Sequence, residues 1–267
     1  MMPSYLYSAS MPPLRATVNC DMGEGFSLYR IADDEALMKT IHLANIACGF
    51  HASDFSIMNA TVAYAKTYGV AVGAHPSLPD RQGFGRREMA MEAEELLSCF
   101  VYQIGALAGF LKLHGLPLHH VKPHGAIYGQ TARSLPLARS AVAAVKTFST
   151  DENPVAFMGL AGTAHQTACE EAGIKFIAEW FADLDYDSSG KLLITKTHAP
   201  VTVEVIRDRV TRLLETHQVT TNEGTYLPLP YVTEVSICCH SDTPGAVETA
   251  QFVKSLVDES NKRAGYT

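Results

Sequence analysis

Short apolar runs alternate with segments of helical periodicity along this whole chain, and that alternation constrains the fold more than any other feature. Seven runs read as strands: Arg15 to Val18, Ile41 to Ala47, Val70 to Gly73, His119 to Val121, Val155 to Gly159, Lys175 to Glu179 and Glu234 to Cys238. Asp54 is placed to cap a helix in which Ile57, Met58, Val62 and Ala65 recur at helical spacing before Gly69 stops it. Glu92 to His114 reads as a long helix ended by Gly115, and Thr243-Pro244 as the opening of the last helix. Strands this apolar need cover on both faces, which predicts a parallel sheet enclosed by helices, and seven units are enough to close it. The expected fold is α/β, an irregular parallel β/α barrel with about seven strands. An open doubly wound sheet is the alternative, but neither the dinucleotide fingerprint nor the phosphate loop GxxxxGK[ST] is present.

At 267 residues and 29.0 kDa the chain is expected to form one domain over residues 16–267, since barrels of this length commonly stay undivided. Residues 1–15 lack the charged start and apolar stretch of a secretory signal and read as a disordered leader. Breakers at Asn222 to Pro230 and Asp185 to Gly190 read as turns rather than linkers. A net charge of -7 leaves no basic footprint for nucleic acid. No apolar stretch reaches about 18 residues without a polar break, so no membrane span is expected. The six cysteines show no spaced framework, and the adjacent pair Cys238-Cys239 cannot readily bond to itself. A reducing cytoplasm fits that usage best.

Five polar clusters stand where apolar runs end, which in a barrel is the face that carries chemistry. In Asn19 to Glu24, Asp21 can act as a base or ligand with Glu24 nearby, or Asn19 and Asp21 can simply make turns after a strand. In Asn45 to Asp54, Asn45 can fix a small amide or carboxylate and His51 can handle protons. Asp54 suits a cap, though a helix starting there would place it on one face with His51. In Gly73 to Arg87, His75 ends a strand, and Gly83-Phe84-Gly85-Arg86-Arg87 reads either as a solvated basic loop or as a cover whose Arg86 fork meets a carboxylate or phosphate. In Val121 to Gly125, Lys122 is too costly to bury unpaired as core filler, and His124 titrates near neutrality. His119 and His120 read as facing solvent or helices. Near the C-terminus, His240 with Asp242 can form an oriented base, or Asp242 can cap the last helix. Glu179 and Asp183 flank Trp180, whose packing role is the simpler reading.

The strings VNCDMGEG, ANIACGFHASD, GAHPSLPDRQGFGRR, YQIGALAG, HVKPHGAIY and EWFAD, spread from about Val18 to Val253, resemble the LamB/YcsF family, whose bacterial members are the A subunit of 5-oxoprolinase. The resemblance implies an irregular β/α barrel related to the glycoside hydrolase/deacetylase superfamily. It also implies a role in ATP-dependent opening of 5-oxo-L-proline to L-glutamate, with separate B and C subunits. Three positions depart from the family pattern: Leu184 where Arg is usual, Ser241 where Gly is usual, and Ser53 in place of Gly before Asp54.

Together these readings assign Asp21, Lys122, His124 and His240 to catalysis, and Asn45, His51, His75, Arg86, Asp183 and Asp242 to substrate binding. A lactam nitrogen is a poor leaving group, so an acid such as His124 or His240 must protonate it while Asp21 activates water. Lys122 can stabilise charge on the carbonyl oxygen or on a phosphorylated intermediate. ATP, with no phosphate loop to hold it, is expected as a co-substrate bound in another way or on the partner subunits. A rival reading is a metal-dependent deacetylase or hydrolase acting alone, with Asp21, His51, His75, His124 and His240 as possible zinc ligands. A third is a non-catalytic subunit that captures substrate for other proteins.

Overall fold

The computed structural model describes residues 14–193, 201–229 and 232–266. Of the expected leader, residues 1–13 lie outside the described residues, as does Pro230; Leu14 is buried and Arg15 already belongs to the first strand. The strands are β1 (Arg15–Met22), β2 (Leu43–Ala47), β3 (Ala71–His75), β4 (Leu118–Val121), β5 (Ala156–Leu160), β6 (Phe176–Phe181), β7 (Asp185–Tyr186), β8 (Leu192–Leu193), β9 (Gln218–Thr220), β10 (Tyr226–Pro228) and β11 (Glu234–Cys238). The helices are α1 (Asp34–Met38), α2 (Phe55–Tyr68), α3 (Ala93–His114), α4 (Ala126–Arg133), α5 (Leu135–Phe148), α6 (Ala164–Ala172), α7 (Val203–Thr216) and α8 (Ala246–Ala264).

Seven parallel strands close into a barrel in the order β1-β11-β6-β5-β4-β3-β2. All seven expected strands are present, and the two breaker-rich segments turn out to carry small antiparallel hairpins, β7-β8 and β9-β10. Alternation along the strands separates two apolar clusters. Val18, Cys20, Ile46, Val72, Ala74, Val121 and Ile237 join the main core shared with the helices, whereas Leu43, Ala156, Met158 and Ile177 form a separate small cluster inside the barrel. Above that plug the inward-facing positions turn polar.

The helix signals mostly hold. Asp54 accepts from the backbone N–H groups of Ser56 and Ile57, and Gly69 ends α2 in the left-handed region. Gly115 does the same for α3. Among the described residues α3 is the one helix long and apolar enough to cross a membrane, yet Leu96, Phe100, Ile104, Leu107 and Leu111 are buried along it as it packs mainly on α5. The last helix departs from expectation. It begins at Ala246 with Gly245 as its cap residue, so Asp242 and Thr243 do not cap it, and the Thr243 hydroxyl donates to the carbonyl of His240 instead.

Candidate active site at the mouth of the barrel

Strand β1 runs four residues further than the apolar pattern predicts, and that extension builds the site. Asn19 and Asp21 are alternate residues of the strand that reach into the barrel, so they make no turn. Asn19 donates to Ser236 Oγ at 2.8 Å, and Asn45 on β2 donates to Asn19 Oδ1 at 2.8 Å and to Asp21 Oδ1 at 2.9 Å. Asn45 Oδ1 accepts from His120 Nε2 at 2.7 Å, so its amide is used on both sides and orients Asp21 within the protein. His120 is thus fully buried inside the barrel, contrary to the expected solvent or helix contact. Its ring fits only because β3 carries Gly73 opposite, where an added Cβ would overlap the imidazole.

One layer higher, Lys122 follows β4 and is buried with its ammonium 2.8 Å from Asp21 Oδ1 and 2.7 Å from Glu179 Oε1 on β6. Cys238 Sγ is a further 3.3 Å neighbour. Burial works against the charge on Lys122, but Asp21, Cys238 and Glu179 outweigh it and raise its pKa well above the ordinary value. Burial likewise opposes ionised Asp21, and His75 with Lys122 nevertheless holds it well below the usual carboxylate range. Glu179, noted in the sequence only as a neighbour of Trp180, is therefore part of the charge balance. Trp180 itself is buried and stacks on Tyr186, as the packing reading requires.

Beside this pair lies a cluster of imidazoles. His75 Nε2 is 3.1 Å from Asp21 Oδ2, and His124 Nδ1 is 2.9 Å from His75 Nε2. His51 stacks on His124 with ring centroids 3.7 Å apart, and its Nε2 lies 3.0 Å from Glu24 Oε1. Burial, reinforced by the neighbouring histidines, pushes the pKa of His124 and of His51 well below the ordinary imidazole value. Glu24 is raised, also chiefly by burial. One potential ligand atom from each of Glu24, His51, His75 and His124 lies within 4.8 Å of all the others, so this buried group can hold a metal ion. His51 stands in the loop before α2, and Asp54 uses both carboxylate oxygens on backbone N–H groups, so the two share no helical face and no site.

Two loops complete the rim. Gly85 sits at φ 64°, and a Cβ added there would come within 3.0 Å of both His51 and His124, so the glycine lets the loop after β3 close over the rings. Its Arg86 then reaches Asp242, after β11, at 2.8 Å. Arg87 pairs instead with Asp80 and is largely exposed, the solvated-face reading of that residue. His240 donates its backbone N–H to Asp183 Oδ2 and pairs its Nδ1 with Asp183 Oδ1, both at 2.8 Å, so Asp183 rather than Asp242 orients it. Burial disfavours the imidazolium of His240, but Asp183 more than compensates and raises the pKa to about 9. Phe181 stacks on His240 and also lies under Lys122, which ties this histidine to the central pair. Leu184 is buried, and Arg209 of α7 donates to the carbonyls of Ala182 and Leu184.

Asp21, Lys122, His124 and His240 thus meet at the carboxyl ends of the strands, with His51, His75, Arg86, Asp183 and Asp242 around them. Sequence reasoning missed His120 and undervalued Glu24, Asn19 and Glu179. The alternation of Asn19, Asp21 and then Gly23 continues the period of β1 and could have shown the strand extending.

The LamB/YcsF family model matches residues 16–265. A lactam utilization protein lamB of Emericella nidulans is 43% identical over 259 residues, covering 96% of this chain and 100% of that protein. The A subunit of 5-oxoprolinase from Methylococcus capsulatus is 43% identical over 240 residues, covering 89% of this chain and 90% of that one. The crystal structure of the lactam utilization protein from Thermus thermophilus superposes with a TM-score of 0.82 at 36% identity, covering 95% of this chain and 98% of that one. With the family model spanning nearly its whole length and relatives of this closeness, the chain belongs to the LamB/YcsF family.

Proposed function

We propose that this chain is the A subunit of an ATP-dependent 5-oxoprolinase that opens 5-oxo-L-proline to L-glutamate with separate B and C subunits in a reducing cytoplasm. The observation that carries the reading is the buried Asp21–Lys122 pair beside protonated His240, set in a chain whose relatives are named for this reaction. The described cysteines are all unpaired, in keeping with a reducing compartment.

The residues divide the work by their electrostatics. Ionised Asp21 takes a proton from water as the water oxygen bonds to the lactam carbonyl carbon. Lys122 faces the charge that develops on the carbonyl oxygen, or on its phosphorylated form, in a dry site where that interaction is strong. As the C–N bond breaks, the ring nitrogen gains a proton. His240 is the better donor because Asp183 keeps it charged at neutral pH, whereas burial keeps His124 neutral. His124 is better suited to positioning. Arg86 and Asp242 guard the rim, where the Arg86 fork can meet the substrate carboxylate. ATP is consumed as co-substrate, with its binding site on the partner subunits.

The test is reconstitution. Mixed with cognate B and C subunits, 5-oxoproline and ATP, the chain should produce glutamate only when every component is present. A metal-dependent deacetylase acting alone is the second reading, favoured by the Glu24, His51, His75 and His124 cluster. Failure with cognate partners, combined with hydrolysis of an acetylated compound by this chain alone, would select it.

A further inference from the structure

The protons of the histidine cluster do not add up without a cation. His75 Nδ1 lies 2.7 Å from the carbonyl oxygen of Lys122, and His124 Nε2 lies 2.9 Å from that of Phe84. A carbonyl oxygen only accepts, so both nitrogens carry hydrogen, and in a neutral ring the other nitrogen is then a bare lone pair. Those lone-pair nitrogens, His75 Nε2 and His124 Nδ1, face each other at 2.9 Å. Asp21 Oδ2 is 3.1 Å from the first and Glu24 Oε1 is 3.5 Å from the second. Four electron pairs directed into one buried spot repel unless positive charge lies among them. A carbonyl on the far nitrogen of each ring is also how proteins fix the tautomer and aim of metal-ligating histidines.

We propose that His75 Nε2, His124 Nδ1, the Glu24 carboxylate and His51 Nε2 bind one divalent first-row transition ion, with zinc the best match to three imidazoles and one carboxylate. Asp21 is excluded from the ligand set because its other oxygen is held by Lys122 and Asn45. Its free Oδ2 is left beside the ion as acceptor for a proton of metal-bound water. The ion would polarise a carbonyl oxygen or lower the pKa of that water. The site stands on its own geometry; only the reaction it serves rests on the lactam-opening reading.

Untagged chain, stripped with chelator and then dialysed against micromolar zinc sulfate, should retain close to one equivalent by elemental analysis and melt at a higher temperature. Cobalt(II) should bind the stripped chain with visible absorption bands. His75→Ala or His124→Ala should lose at least tenfold in zinc affinity and alter those bands, while His114→Ala, on the outer helix layer, should do neither. If the alanine variants fail to fold, Glu24→Gln, which preserves shape, should still weaken zinc at least tenfold. Retention below a tenth of an equivalent, or cobalt bands indifferent to these substitutions, would overturn the proposal; a proton shared between the two rings predicts that result. Zinc bound by a chain that makes no glutamate with its partners would uphold the metal site and sink the lactam reading. Glutamate made by a metal-free chain would do the reverse.

Discussion

Lys122 sits between two carboxylates, Asp21 and Glu179, that burial alone would force to take up protons. Removing the ammonium leaves both charges uncompensated, and such losses typically cost about 3–5 kcal/mol. Lys122→Met should therefore lower the unfolding free energy by about that amount in urea titrations and abolish catalysis. His240 and Asp183 make a pH-dependent contribution of known sign. Below pH about 6.5 the histidine is protonated in both folded and unfolded chains and the pair contributes fully. As pH rises toward its folded pKa of about 9, the unfolded state is already neutral and the contribution is lost. The stability difference between the wild type and Asp183→Asn should shrink from about pH 6 to about pH 9.5; a constant difference would contradict the assigned ion pair. Lys122 and His240 were both legible in the sequence because charged groups after apolar runs need partners. The partners Glu179 and Asp183 could not be matched to them, because pairing between segments as far apart in the chain as those holding Asp183 and His240 leaves no local trace.

Strand β3 shows how an element can be set by a residue it packs against. Gly73→Ala would drive a methyl group into the His120 ring, and overpacking of this kind typically costs about 1–3 kcal/mol. A loss of about 2 kcal/mol in chemical denaturation is expected, together with lower activity because His120 positions Asn45 and through it Asp21. The turn into α2 is set differently. Ser53 is buried at φ 73°, a left-handed conformation that costs a non-glycine residue about 1 kcal/mol or more, and the resemblance places glycine at this position. Against the greater unfolded-state entropy of glycine, Ser53→Gly should raise the unfolding free energy by about 0.5 kcal/mol. Elements were the most legible level of the chain, since cap residues and apolar periods are local signals. The exception was β1, where inward-facing Asn19 and Asp21 look like the end of a strand because the barrel interior is polar at that height.

Across the whole molecule, the barrel mouth is bridged by the Arg86–Asp242 pair, which joins the loop after β3 to the segment after β11. Both side chains are partly exposed, so the pair contributes only about 0.2–1 kcal/mol to stability. Arg86→Ala should leave the melting temperature nearly unchanged while raising the KM for 5-oxoproline in the reconstituted enzyme; unaltered KM and kcat would remove Arg86 from the site. By itself the sequence determined the alternating strands and helices, their closure into a barrel and the rim on which chemistry gathers, because periodicity, caps and breakers act between near neighbours. Only the tertiary structure decided which polar groups meet: His120 turned inward, Glu24 joined three histidines, and Asp183 displaced Asp242 as the partner of His240. Those choices depend on barrel register, where a shift of one residue exchanges inside for outside, and register is fixed by contacts between segments that lie far apart in the chain.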